Sequence, residues 1–274
     1  MSRRRLRVLA TSAIAALALT AVAAVPASAP AVPVITMSGS TSVAPLASLL
    51  IRAYHKKFPK RATFRLAQGG SDVGIADVAA GRVSIGNSSR DKKSSDDPSL
   101  VFNRIAKDAI CVVTNPRNGV ANLSQSQIQD IFSGRIRNWS EVPGAKASGA
   151  INLVVRTAAS GTQDAFQKIF MGSATVAGAA AAKASNGLVQ QAVSSDPNAV
   201  GYVSLDFVRG TTPAAYNGVA CNLRNAKSGQ YGGVRSFYMV TRGKATGAVF
   251  RFINWVQGNA QAQKIVGTHW VPLR

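Results

Sequence analysis

The chain has 274 residues, with 32 lysines and arginines against 11 acidic residues, a net charge of +21, two cysteines and two histidines. His55 and His269 join no cysteine or carboxylate at metal-ligand spacing, so the sequence carries no recognisable metal motif. The basic residues are scattered rather than blocked and the indole rings are Trp139, Trp255 and Trp270, which excludes a dedicated nucleic-acid domain but leaves a surface that attracts small anions and an anionic cell wall.

Met1 to Arg7 holds four arginines, Leu6 to Val25 is almost wholly apolar, and small residues and prolines follow. That order reads as a secretory signal peptide over residues 1–31, with Ala29-Pro30-Ala31 and Ala21-Val22-Ala23 as cleavage candidates. An uncleaved anchor is the competing reading, since Val8–Val25 is near the lower length limit of a membrane span. No cysteine stands in the cleavage region, so no lipidated N-terminal cysteine is expected, and the mature chain is expected to be extracytoplasmic, secreted or associated with the cell surface. Without the four arginines the charge is +17, and the roughly 240 residues that remain suffice for one large domain or two small ones.

Pro33–Met37 reads as a strand. Gly39-Ser40-Thr41-Ser42 ends it, and Leu46, Leu49, Leu50 and Tyr54 then recur at helical spacing behind Pro45, a residue suited to a first helical turn. Ala62–Leu66 reads as a second strand, Gln68-Gly69-Gly70-Ser71-Asp72 as a second glycine and hydroxyl turn, and Ile75, Val78 and Ala79 as a short helix ending near Gly81. Val83–Gly86 is a third strand running into Asn87-Ser88-Ser89-Arg90-Asp91. One such turn means little, because serine and glycine favour turns for backbone reasons. Three of them at successive strand ends predict an open α/β sheet whose crevice lies beyond the carboxyl ends of its strands.

Lys92–Pro98 is expected as a loop. Ile105–Val113 contains a continuous apolar run suited to a strand covered on both faces, and the turn Asn115-Pro116-Arg117-Asn118-Gly119 behind it marks a first interdomain crossing. Ser124 caps a helix through Phe132 that buries Ile128, Ile131 and Phe132; Gly134 stops it, and Trp139 is expected as a packing anchor. Ile151–Val155 is a strand, the alanine-rich segment 175–192 is two helical pieces or one loose excursion, and Ala199–Val203 is a buried strand. Gly218–Asn222 is expected as a short element and Gly229–Gly233 as a turn. Ser236–Val240 is a strand offering a return crossing, and Phe250, Phe252, Ile253 and Val256 line a last helix that ends near Gly258 or continues through Ile265. Cys111 and Cys221, in an exported chain, form either a single bridge or two buried thiols.

Between the strands, Arg156-Thr157-Ala158-Ala159-Ser160-Gly161-Thr162 places a cation, hydroxyls and a glycine ahead of Ala165, Phe166, Ile169 and Phe170 at helical spacing. The unpaired first-turn N–H groups, the helix dipole and the guanidinium fork of Arg156 make this an anion site. Simple N-capping by Ser160 or Thr162, with Arg156 on the surface, is the alternative reading of the same residues.

Ser38-Gly39-Ser40-Thr41-Ser42-Val43-Ala44-Pro45-Leu46, Gly69-Gly70-Ser71 with Gly74-Ile75, Val83-Ser84-Ile85-Gly86-Asn87-Ser88-Ser89-Arg90 and Asn122-Leu123-Ser124 form an ordered set. Ile131-Phe132-Ser133-Gly134, Asn138-Trp139, Arg156 with Ser160-Gly161-Thr162 and Phe166, and Val200-Gly201-Tyr202-Val203 continue it. Together they resemble the periplasmic-type phosphate-binding proteins of ABC importers, in particular the compact Gram-positive members, over nearly the whole mature chain. The resemblance implies an α/β, two-lobed periplasmic-binding-protein-like fold with hinge crossovers, lobe 1 being residues 32–114 plus 236–274 and lobe 2 residues 115–235. It implies a monomer that takes no cofactor, closes on inorganic phosphate and engages ABC permease subunits. The ligand contacts it implies are Ser40, Thr41, Ser42, Ser71, Ser88 and Ser89 from one lobe, and Arg156, Ser160, Gly161 and Thr162 from the other.

Many relatives also place a carboxylate in the first lobe, where it receives the proton of hydrogen phosphate and turns sulfate away. Here the matching turn, Asn87-Ser88-Ser89-Arg90, has no carboxylate at its centre, which leaves Asp72 and Asp91 as candidates for the proton acceptor. Binding of another tetrahedral oxyanion such as sulfate is one alternative function. A secreted basic phosphate scavenger or cell-wall interaction protein without a transport role is another. An enzyme is not expected: a phosphohydrolase would need Ser40 or Ser160 as nucleophile, but His55 sits beside two lysines and no nucleophile elbow is present.

Overall fold

The computed structural model describes residues 31–273, so the expected signal peptide lies outside the described residues except for Ala31. In chain order β1 (Val34–Gly39), α1 (Ala44–Lys57), β2 (Thr63–Leu66), α2 (Ser71–Ala79) and β3 (Ile85–Ser88) precede the long β4 (Leu100–Thr114). β5 (Asn122–Leu123), α3 (Gln125–Phe132), β6 (Asn152–Arg156), α4 (Gly161–Phe166), β7 (Ala181–Lys183), α5 (Asn186–Ser195) and β8 (Ala199–Ser204) follow. The chain ends with β9 (Thr212–Pro213), β10 (Ala215–Tyr216), α6 (Leu223–Ser228), β11 (Val234–Arg242), α7 (Gly247–Gly258) and α8 (Ala260–His269).

The main sheet runs β2-β1-β3-β11-β4-β8-β6-β7, with β9 added beside β4. It contains two parallel triplets, β2-β1-β3 and β7-β6-β8, one per lobe. The antiparallel strands β11 and β4 join them. Along β4, Leu100 to Ala109 pair with β11, whereas Ile110 to Thr114 pair with β8. That exchange of partners occurs ahead of the Asn115 turn, because the strand begins at Leu100, ahead of the expected Ile105, and serves both lobes in succession.

Local chemistry explains the elements that frame the cleft. α1 has Pro in its first turn, where a missing N–H costs nothing, buries Leu46, Leu50 and Tyr54 on one side, and carries His55, Lys56 and Lys57 against the dipole at its end. Tyr54 then meets Phe64, Phe252 and Trp255 edge-on at 6.0, 5.1 and 5.3 Å, which ties α1 to α7 across the first lobe. Such pairs add about 0.5–1.5 kcal/mol each beyond burial. In the second lobe α3 starts with a reciprocal cap between Ser124 and Gln127 and buries Ile128, Ile131 and Phe132. Trp139 is fully buried and donates its indole N–H to Asn198 O at 2.8 Å.

Two details differ from the expectation, and the final helix takes the first of its two expected ends. The alanine-rich segment contains a strand, β7, followed by one helix, α5, whose first residue Asn186 is buried. The final helix stops at Gly258, where Asn259 caps a separate α8 by accepting from Gln261 N and Ala262 N. Gly218–Asn222 is a turn in which Val219 bridges to Tyr216 and Asn222 caps α6. Cys111 of β4 and Cys221 form a disulfide with Cα atoms 5.6 Å apart. No helix among the described residues is long and apolar enough to cross a membrane.

Candidate functional site

The three glycine and hydroxyl turns meet. Ser40 follows β1, Ser71 follows the β2 turn and Ser89 follows β3, so parallel pairing of β1 with both neighbours brings all three to one end of the first-lobe sheet. Ser40 Oγ donates to Ser89 Oγ at 2.9 Å, Ser71 Oγ lies 3.2 Å from Ser89 Oγ, and Ser89 N donates to Ser71 Oγ at 3.0 Å. Parallel pairing of β6 in the second lobe delivers Arg156, Ser160, Gly161 and Thr162 to the facing end. Asp72 N donates to Ala159 O at 3.1 Å, a main-chain bond from one lobe to the other.

Two glycines permit that approach. Gly70 adopts φ of +100°, and a Cβ there would lie 2.7 Å from Ala159 O. A Cβ on Gly161 would collide with Ser71 Oγ and lie 2.8 Å from Ser89 Oγ.

Arg156 is the central cation. It is 3% exposed, its Nη2 donates to Thr41 Oγ1 at 3.2 Å and Ala184 O at 2.9 Å, and its Nε donates to Lys183 O at 3.1 Å. Its Nη1 reaches Thr162 Oγ1 at 3.5 Å. No carboxylate pairs with it among the described residues, and burial, followed by repulsion from Arg235, brings its pKa down to about 10. The strand position of Arg156 is fixed from behind, since its N–H donates to Tyr202 Oη at 3.0 Å and the Tyr202 ring stacks on Phe166 with centroids 3.8 Å apart.

The hydroxyl protons can be followed from their partners. Ser42 Oγ accepts from Asn186 Nδ2 at 2.8 Å and from Arg235 Nη2 at 2.9 Å, so its own proton goes to Thr162 Oγ1 at 2.9 Å. Thr41 Oγ1 accepts from Arg156 and, at 3.1 Å, from Asn186. The protons of Thr41 and Thr162 therefore have no acceptor among the described residues, and the cluster presents a surplus of donors.

Not every expected residue joins it. Ser88 Oγ donates to Arg90 O and accepts from Arg90 N within its own turn. Ser160 caps α4, accepting from Thr162 N and Gln163 N, and so acts on the cluster through the placement of Gly161 and Thr162. Asp72 is drawn away by Arg90, whose Nε lies 2.6 Å from its carboxylate, and Asp91 bonds Tyr238 Oη at 2.8 Å and Lys168 Nζ at 3.2 Å toward solvent. Neither carboxylate reaches the hydroxyls. Three participants were absent from the sequence expectation: Asn186, Arg235 and Asp108. Asp108 left a signal, as a lone acid in an apolar strand run, where a buried charge demands a partner. At the outer edge a groove of about 300 Å³, lined by Thr41, Pro45, Gln68, Ser185, Asn186 and Phe207, leads to Thr41.

Comparison with known proteins gives a consistent set of likenesses. The family profile described as the PBP superfamily domain matches residues 24–260. The phosphate-binding protein PstS of Bacillus subtilis (strain 168) is 29% identical over 237 residues, covering 85% of this chain and 78% of that protein. A Clostridium perfringens protein assigned as a phosphate ABC transporter substrate-binding protein, solved with bound phosphate, superposes with a TM-score of 0.83 at 30% identity, over 88% of this chain and 100% of its own. An ABC-type phosphate transport receptor from Vibrio cholerae superposes with a TM-score of 0.71 at 28% identity, over 86% and 99% of the two chains.

Proposed function

The chain belongs to the PBP superfamily, among the PstS-like phosphate-binding proteins of ABC importers, and from that membership we propose that it binds inorganic phosphate outside the cytoplasm for delivery to an ABC permease. It is a binding protein and not an enzyme. The observation that carries this reading is Arg156, a buried guanidinium with no carboxylate partner among the described residues, set among hydroxyls whose free protons point to an acceptor-rich ligand. Burying an unpaired ion costs several kcal/mol, and a tetrahedral oxyanion supplies both the countercharge and the acceptors.

In this reading Ser40, Thr41, Ser42, Ser71 and Ser89 hold the ion from the first lobe, while Arg156, Gly161 and Thr162 clamp it from the second. Ser88 and Ser160 shape the turns that carry them. We place the lobe limits where β4, the strand that pairs with both halves, leaves β11 for β8 and just ahead of Val234, where β11 begins. We place the protein in solution as a monomer, its +17 charge holding it loosely to an anionic cell wall when it is not released.

Isothermal titration with phosphate, sulfate and arsenate tests the reading. One phosphate per chain is expected, and Arg156→Ala is expected to weaken it by well over tenfold, the loss of a charge-assisted contact in a closed site. Absence of phosphate binding, or an unchanged affinity in Arg156→Ala, overturns the assignment.

A further inference from the structure

Behind the hydroxyl cluster lies a second buried guanidinium. Arg235, near the start of β11, is 7% exposed and sends Nε and Nη2 to Asp108 Oδ2 at 3.2 and 2.9 Å. The same Nη2 donates to Ser42 Oγ at 2.9 Å, and Nη1 lies 3.4 Å from Ser89 O. Asp108, on the part of β4 that pairs with β11, is 1% exposed and accepts from Ser204 Oγ at 2.8 Å through its other oxygen. Ser204 N donates to Asn186 Oδ1 at 3.1 Å, and Asn186 Nδ2 returns to Ser42.

Asp108, Arg235, Ser42, Asn186 and Ser204 thus close a ring of hydrogen bonds. Its members come from the first lobe, from the second lobe and from both joining strands, and Ser42 is shared with the hydroxyl cluster. A buried ion pair has a bland role available, the fastening of β4 to β11. Two features go beyond it: Arg235 spends donors on the turn residues Ser42 and Ser89 rather than on Asp108 alone, and it lies near enough to Arg156 for the two cations to repel. Two guanidiniums against one carboxylate leave the site one positive charge in excess.

We propose that Arg235 is a second guanidinium of the phosphate site, held at the hinge end of the cleft by Asp108, which acts as its positioning residue. The inference rests on the phosphate reading above. Asp108 lowers the pull of Arg235 on the anion while it is ionised. Burial pushes its pKa up to about 6, in the face of Arg235 from β11 and with the nearby Asp206 adding to the rise. The other titratable groups around the pair are Tyr231, just before β11, and Arg156 across the cluster. Acidification through about pH 6 therefore neutralises the carboxylate and strengthens the hold on an anion.

The test compares wild-type protein, Asp108→Asn and the double variant Asp108→Asn/Arg235→Gln by phosphate titration at several pH values, with urea unfolding of each ligand-free protein. The double variant removes both charges of the pair, so the net charge of the site and the balance of the core are kept while the guanidinium is lost. At pH 8, Asp108→Asn is expected to bind several-fold tighter than wild type, and the double variant about tenfold weaker or more. The advantage of Asp108→Asn should shrink toward unity as the pH falls through about 6, because the wild-type carboxyl then becomes neutral too, while the changing mixture of phosphate ions is the same for both proteins and cancels from the ratio. A pair that only fastens strands would leave the double variant at wild-type affinity and give no pH-dependent ratio, and that result overturns the proposal. Wild-type protein that binds no phosphate overturns the functional reading instead, and this inference falls with it.

Discussion

Arg156 works through its surroundings as much as through its charge. Tyr202 holds its main chain, two carbonyls and two threonine hydroxyls divide its fork, and no acid competes with a ligand for it among the described residues. Arg156→Lys keeps the charge but loses the planar fork, so phosphate affinity in titration is expected to fall between those of wild type and Arg156→Ala. Gly161 is tested from the opposite direction, by addition. A methyl there would run into Ser71 and Ser89 of the other lobe, and separating the lobes relieves the collision. Gly161→Ala is therefore expected to bind phosphate at least about tenfold more weakly while its ligand-free urea midpoint barely moves. Asp91→Asn makes the contrasting prediction, because its carboxylate faces Tyr238 and Lys168: phosphate affinity should stay within about twofold of wild type, near the scatter expected for a surface change.

At the scale of elements, Arg90 ties the loop between β3 and β4 to α2, and Lys92 Nζ adds bonds to Pro98 O and Leu100 O at 3.1 and 2.8 Å. Arg90 is buried, pairs both oxygens of Asp96 at 2.8 Å and sends Nε to Asp72 at the start of α2. The Arg90 hydrogen bond is the largest influence keeping Asp96 below its ordinary acid range, followed by an opposing effect of burial. A depressed carboxylate adds stability above its unfolded value, and that stability is lost as the pH falls through the lower folded value. Urea unfolding from about pH 6 down to about pH 3 should show a smaller acid-dependent loss in Asp96→Asn than in wild type. The disulfide spans 110 residues, and Cys111→Ala/Cys221→Ala is expected to lose about 2–4 kcal/mol by the same measurement. Legibility in the sequence followed local chemistry. The turns at Ser40, Ser71 and Ser89 could be read because glycine and hydroxyls interrupt apolar runs there, and α3 because its cap and its period agree. β7 could not: Ala181-Ala182-Lys183 has no β-branched or aromatic residue, and its strand form comes from pairing with β6. Asn186 was hidden with it. Asp108 stood out as a lone acid, yet its partner Arg235 lies 127 residues away, a distance that no local pattern spans.

The molecule as a whole adds a field to this site. Without the four arginines of the expected signal peptide, eleven acidic residues face 28 lysines and arginines, and most of the acids are already paired with a base, so the excess positive charge is left to act at long range. Such a field speeds the arrival of an anion, whereas the hold on it comes from the buried donors, and salt separates the two effects. The screening length falls from about 30 Å at 0.01 M salt to about 10 Å at 0.1 M, which shields the scattered surface charges but hardly reaches Arg156 or Arg235 inside the closed cleft. Stopped-flow measurements with phosphate are therefore expected to show an association rate that drops several-fold over this range and a dissociation rate that changes by less than about twofold. A salt effect carried mainly by dissociation would mean that water and ions enter the bound site, and the closed cluster of hydroxyls would then not be the state that retains the ligand.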